Sequence, residues 1–249
     1  MKPVSPIFDP DATARLYGFS GVTDYQIWHG LEPDGVAGPV TTASMVAPRC
    51  GLPDYQMARP PEEGSWPRQC LDVATSYRLQ LNLGAEEIKS AWETALGLWN
   101  QSCGIKLTLI QSMGESQIWA TSGPLPGSTL AWSYLPNGNC GERLEQRYDT
   151  GPTWDHDFLA KTMLHELGHA LGLTHTQSQA DIMYPAITGR PLSVYPSPND
   201  IRRVVNFYGE GSPDPGPDPD PDPDPDPTGS RITVTGRDLK PGTYTLRKV

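Results

Sequence analysis

The sequence has no run of apolar residues approaching the length of a membrane span. Its N-terminus, Met1-Lys2-Pro3-Val4-Ser5-Pro6, lacks the apolar core of a secretory signal. A displaced start, export by another route and release by lysis are the alternatives this leaves. Apolar material is scarce: the chain is 37% hydrophobic over 249 residues and carries 27 prolines. That composition excludes one uniformly packed globule and implies ordered regions separated by extended ones. Basic charge is scarce too. The net charge is −10, but Glu210 to Pro227 holds seven acidic and no basic side chains, leaving −3 for the rest. The folded parts therefore offer no positive field for nucleic acid, and the acidity belongs mostly to a spacer. Cys50, Cys70, Cys103 and Cys140 permit at most two disulfides, and their spacing selects no pairing.

The chain is organised around His165-Glu166-Leu167-Gly168-His169-Ala170-Leu171-Gly172-Leu173-Thr174-His175. Histidines four residues apart share one face of a helix, so the imidazoles of His165 and His169 can reach one metal ion. Glu166 can face the open side of that metal as general base. Gly172 permits the sharp exit that brings His175 round as a third ligand. Three imidazoles and one open position describe a catalytic zinc site rather than a closed structural one.

Around this stretch the periodicities predict a helix from about Ala85 to Asn100, with Ile88, Trp92, Ala95, Leu96 and Trp99 inward. They also predict strands at Ser76–Leu83, Gly104–Ile110, Gln117–Ala120, Thr129–Tyr134 and Leu144–Tyr148. The metal helix should begin near Asp157, and a last helix should run from about Pro198 to Tyr208. Residues 1 to about 48 read as a small helical unit in which Tyr25, Trp28 and Leu31 recur at helical spacing. Residues 55 to about 69 are rich in Pro, Glu and Gly and read as exposed and protease-sensitive. The Pro-Asp repeat at Pro213–Pro227 is an extended spacer, and Arg231–Thr235 and Thr243–Arg247 are two β-like runs beyond it.

A second constellation lies upstream. Pro48-Arg49-Cys50-Gly51-Leu52-Pro53-Asp54 puts a cysteine on an irregular loop, where its thiolate could ligate zinc. Together with the zinc helix and Ile182-Met183-Tyr184-Pro185, this segment resembles the matrixins, the matrix-metalloproteinase branch of the metzincins. Gly127–Pro136 is similar to that family's substrate-binding edge strand, and Leu192–Gly209 to its closing helix. The resemblance covers about residues 24 to 209, and Asp24–Thr41 is similar to the end of a peptidoglycan-binding-like module.

The resemblance implies an α+β fold: a zincin-like catalytic domain with a twisted, mostly parallel sheet of about five strands and three helices, preceded by a small helical pro-segment. It implies a pro-segment at 1–54, an activation linker at 55–75, a catalytic domain at 76–209, a Pro-Asp linker at 210–230 and a short β-like tail at 231–249. In a latent zymogen Cys50 would hold the fourth zinc position, with Arg49 and Asp54 paired to fix its loop. Glu166 would then serve peptide hydrolysis before a hydrophobic residue. Met183 would be packing beneath the ligands, Leu130 and Ala131 would bind an extended peptide by main-chain hydrogen bonds, and Pro185, Ala186 and Ile187 would line its pocket. Trp132 and Arg147 stand where structural-zinc histidines are expected, and Thr153 where a glutamate is. One catalytic zinc is therefore expected, with no structural zinc and with calcium in doubt, although Asp149 matches one calcium ligand. The expected partners are polypeptide substrates, with no nucleic acid and no membrane span, in a monomer; the resemblance places it outside the cell. The alternatives are a peptidoglycan-associated wall hydrolase, or a glycan-binding protein using the N-terminal unit on a cell-wall glycan.

Overall fold

In the computed structural model, residues 8–55, 64–187 and 195–211 are described. The acidic spacer, the β-like tail and most of the loop at Thr188–Tyr195 lie outside them. The N-terminal unit comprises α1 (Pro10–Leu16), α2 (Val22–Trp28) and α3 (Pro39–Met45). Each is only two turns long, too short to be stable alone. They are held by a small cluster of Ala14, Phe19, Val22, Tyr25 and Met45. Asp9 caps α1 by accepting from the Ala12 amide at 3.1 Å. Helix α2 ends at Trp28, one turn short of the sequence expectation. Gly30 then takes φ +65°, which carries Leu31 out of the helix, although Leu31 still packs on the cluster.

The unit leads into β1 (Arg49–Cys50). The larger region adds β2 (Asp72–Arg78), α4 (Ala85–Ser102), β3 (Lys106–Leu109), β4 (Ile118–Gly123), β5 (Thr129–Ser133), β6 (Leu144–Asp149), α5 (His156–Ala170) and α6 (Pro198–Tyr208). Among the described residues the strands form one sheet in the order β1-β5-β6-β4-β2-β3. All neighbours are parallel except β5 and β6. The five expected strands are thus joined by a sixth, donated by the N-terminal segment. Helices α4 and α5 bury Trp92, Trp99, Leu159, Met163 and Leu164 between them and the sheet, and parallel strands need such a covering layer.

Two expectations are corrected. The strand expected at Ser76–Leu83 lies at Asp72–Arg78, because β2 pairs with β3 from Asp72↔Lys106 and with β4 up to Arg78↔Thr121. Leu79, Leu81 and Leu83 continue the apolar alternation beyond any partner strand and pack on the core edge instead. The linker expected at 55–75 is folded in its second half. Trp66 is 1% exposed, and a disulfide joins Cys70 to Cys140 with the Cα atoms 5.6 Å apart.

Candidate metal centre

Helix α5 is capped by Asp155, whose carboxylate accepts from the Phe158 amide at 2.8 Å, and every residue from Leu159 to Ala170 is buried. One face thus delivers His165 and His169 to the interior. The helix ends when Gly172 adopts φ +92°, a conformation that favours glycine, and His175 turns back three residues later. The Nε2 atoms of His165, His169 and His175 lie 3.1–3.2 Å apart, and the Cys50 Sγ is 3.5 Å from the His169 Nε2.

Each imidazole has its tautomer set from behind. Nδ1–H donates to the Ile182 carbonyl from His165 (2.7 Å), to Leu173 from His169 (2.7 Å) and to Pro53 from His175 (2.8 Å). All three Nε2 lone pairs therefore converge without a proton between them. Burial reinforces this by holding His165 down to about 4 and His169 and His175 well below the usual imidazole range. Convergent lone pairs repel unless a cation lies between them. Tetrahedral zinc with Zn–N bonds of roughly 2.0–2.1 Å would set its nitrogens about 3.3 Å apart, which the observed spacing matches. Among the described residues, Cys50, His165, His169 and His175 are the cluster that could hold an ion, with ligating atoms within 4.8 Å of one another.

Glu166 is fully buried, and neither carboxylate oxygen has a hydrogen-bond partner. Burial pushes its carboxyl up to about 8; burial, followed by the Glu166 charge, pushes the Cys50 thiol well up. A cation among these groups would reverse both directions. Met183 is buried against the metal helix. A Cβ built on Gly168 would sit 2.4 Å from the Met183 sulfur, so the glycine in the helix is what lets the methionine lie against it.

Cys50 is held by main-chain bonds on both flanks. On the β5 side, the Arg49 amide donates to Ser128 (3.0 Å) and the Gly51 amide to Ala131 (2.7 Å). Opposite, Cys50 donates to Pro185 (2.9 Å) and Ile187 to Pro48 (2.9 Å), with an antiparallel bridge between Arg49 and Ala186. The Leu130–Ala131 strand and the Pro185–Ile187 segment therefore face each other across the N-terminal chain. Behind it, the buried Arg49 guanidinium pairs with the buried Asp54 carboxylate and lies 3.6 Å from the Tyr17 ring centroid.

Sequence reasoning missed two members of this arrangement. His29 Nε2 bonds Asp54 at 2.8 Å and its Nδ1 bonds the Tyr184 hydroxyl at 2.8 Å. His29 and Tyr184 are 155 residues apart, and nothing in the local pattern of either signals the pairing. At the positions where the family's further ion ligands are expected, Trp132 and Arg147 are cross-strand partners, and the Arg147 guanidinium packs on Gly123. The Asp149 Oδ1 accepts from the Leu125 amide at 2.8 Å.

A family model for the matrixins matches residues 66–209. The chain is 29% identical over 208 residues to stromelysin-2 of Rattus norvegicus, covering 76% of this chain and 42% of that protein. It is 28% identical over 204 residues to matrix metalloproteinase-20 of Homo sapiens (76% and 41%) and 30% identical over 200 residues to stromelysin-1 of Rattus norvegicus (73% and 39%). The chain thus spans well under half the length of these relatives.

Proposed function

The chain belongs to the matrixin family, and from that premise we propose that it is a zinc endopeptidase held latent by its own N-terminal segment. The observation that carries this reading is the convergence of three unprotonated Nε2 atoms and the Cys50 sulfur beside an unpartnered Glu166 carboxylate. His165, His169 and His175 would hold the ion, with Cys50 as fourth ligand in the latent form. Zinc supplies a Lewis acid for the scissile carbonyl and lowers the pKa of water. Glu166 takes the proton of the attacking water and later passes it to the leaving amine, acting as general base and then general acid.

The same geometry supports the latency and the substrate mode. The pro-segment adds to the β5 edge and to Pro185–Ile187 through main-chain bonds, and these are the groups an extended polypeptide would use after its release. Leu130 and Ala131 then supply main-chain partners, and Pro185, Ala186 and Ile187 an apolar wall that favours a hydrophobic side chain. Such an enzyme would act outside the cell as a monomer on polypeptides. No described helix is long and apolar enough to cross a membrane.

The test pairs two variants. Glu166→Ala should retain zinc and lose casein cleavage, and Cys50→Ala should give protein active without activation. An inactive Cys50→Ala protein that binds zinc would sink the latency reading. A fully active Glu166→Ala protein would sink the mechanism.

A further inference from the structure

Helix α5 reaches the metal centre through its last turn, and that turn is finished by groups from far away in the chain. The final carbonyls of a helix lack intrahelical partners and must find others when buried. Here the Trp66 indole Nε1 donates to the Ala170 carbonyl at 2.8 Å. The Tyr208 hydroxyl donates to the Leu171 carbonyl at 2.8 Å and accepts from the Trp66 amide at 3.1 Å. Trp66 is 1% exposed and Tyr208 4%. Burial pushes the Tyr208 phenol well up, so the hydroxyl stays a donor throughout the working pH range. The backbone next to Trp66 closes on the same turn: a Cβ on Gly172 would sit 2.0 Å from the Gly64 carbonyl oxygen.

The two capped carbonyls, of Ala170 and Leu171, lie between His169 and Leu173, in the exit that leads on to His175. Leu173 provides the carbonyl that holds His169 Nδ1, and His175 follows two residues later. Resting on the zinc reading above, we propose that Trp66 and Tyr208 are positioning residues for the metal centre. They fix the exit from α5, and through it the orientation of His169 and the approach of His175. The zinc site then extends to residues 104 and 37 positions away from the carbonyls they hold. It also follows that maturation must leave Trp66 on the catalytic domain, because a product beginning beyond it would lose the Ala170 partner.

Tyr208→Phe removes one hydroxyl without changing the ring, leaving the Leu171 carbonyl and the Trp66 amide unpaired. Trp66→Phe removes the indole donor. Val204→Ala, a cavity change in the same helix α6 at a fully buried side chain, is the control for general destabilisation. In the full-length protein, the readouts are zinc release to a colorimetric chelator and the visible d–d spectrum after cobalt replaces zinc. Outer partners of metal ligands typically affect metal affinity by about 10–100-fold, so both aromatic variants should release zinc roughly tenfold faster or more. Their cobalt bands should shift, while Val204→Ala lowers the melting temperature with an unchanged spectrum. Wild-type release rate and spectrum in Tyr208→Phe and Trp66→Phe would overturn the proposal and leave the zinc reading standing. A wild-type protein that takes up neither zinc nor cobalt would overturn both.

Discussion

Replacing Asp54 with asparagine should loosen the docked Arg49–Asp54 segment locally while leaving the rest of the fold intact. The Asp54 carboxylate is 1% exposed and accepts from both Arg49 and His29, and Arg49 is equally buried. The amide is nearly isosteric with the carboxylate it replaces, so the lost quantity is charge: a guanidinium held against Tyr17 with no counter-ion. Breaking a buried pair from one side costs about 3–5 kcal/mol. That cost falls on the docked state alone, because an undocked Arg49 is hydrated. At about 1.4 kcal/mol per tenfold, the undocked population should rise roughly a hundred- to a few-thousand-fold. The assay is alkylation of Cys50 at neutral pH in a Glu166→Ala background, which keeps the chain whole, followed by mass spectrometry. Cys103, free and buried at the end of α4, is the internal control for global unfolding. Cys50 should react far faster than in the parent while Cys103 stays protected. Cys50 alkylation at the parent rate would refute the argument that this ion pair holds the loop. The double variant Arg49→Met with Asp54→Asn should recover part of the loss, since no unpaired charge remains.

Acid should loosen the same latch. Burial holds His29 below its usual range despite the Asp54 carboxylate beside it, so undocked protein binds the proton more readily. Docking is then fully stabilised above about pH 6.5 and weakens as pH falls through that value toward the lower docked pKa. Cys50 protection measured by hydrogen exchange of its loop should fall over that window, and a pH profile unchanged by His29→Gln would contradict the assignment. Gly168→Ala should destabilise the catalytic region by about 1–3 kcal/mol, because the added methyl collides with Met183 and approaches Trp99. Urea denaturation showing no loss would mean the methionine repacks freely. Chelation should lower the melting temperature and zinc should restore it, since a ligand bound only to the folded state stabilises by mass action; a melting curve indifferent to both would argue against a resident ion.

Local signals carry some elements almost to the residue. The last helix is legible because Ser197, Pro198 and Asp200 spell a helix start, and the Ser197 hydroxyl does accept from the Asp200 amide at 3.1 Å. The ligand cluster is legible because its spacing is a property of one helix and one turn. The start of α5 is displaced slightly from expectation because two acids compete there, and Asp155 rather than Asp157 makes the cap. Strand β2 begins and ends earlier than the alternation suggests because alternation reports burial, not pairing, and burial continues past the last partner. The Cys70–Cys140 bridge spans 70 residues, and the His29–Asp54–Tyr184 and Trp66–Ala170–Tyr208 contacts join segments related only by the tertiary fold. No window on the sequence contains such a contact.

The added strand β1 has one more consequence, for handling rather than chemistry. While it is seated, β1 pairs with the outer edge of β5, and the Arg49 and Gly51 amides bond the Ser128 and Ala131 carbonyls. Once it leaves, the sheet ends in a bare edge flanked by Trp132 and the half-exposed Tyr134. Unprotected edges of this kind invite pairing between copies. On the proposed latency, the form with β1 docked should tolerate high concentration, and the form without it should need dilution, substrate or an inhibitory peptide to stay dispersed.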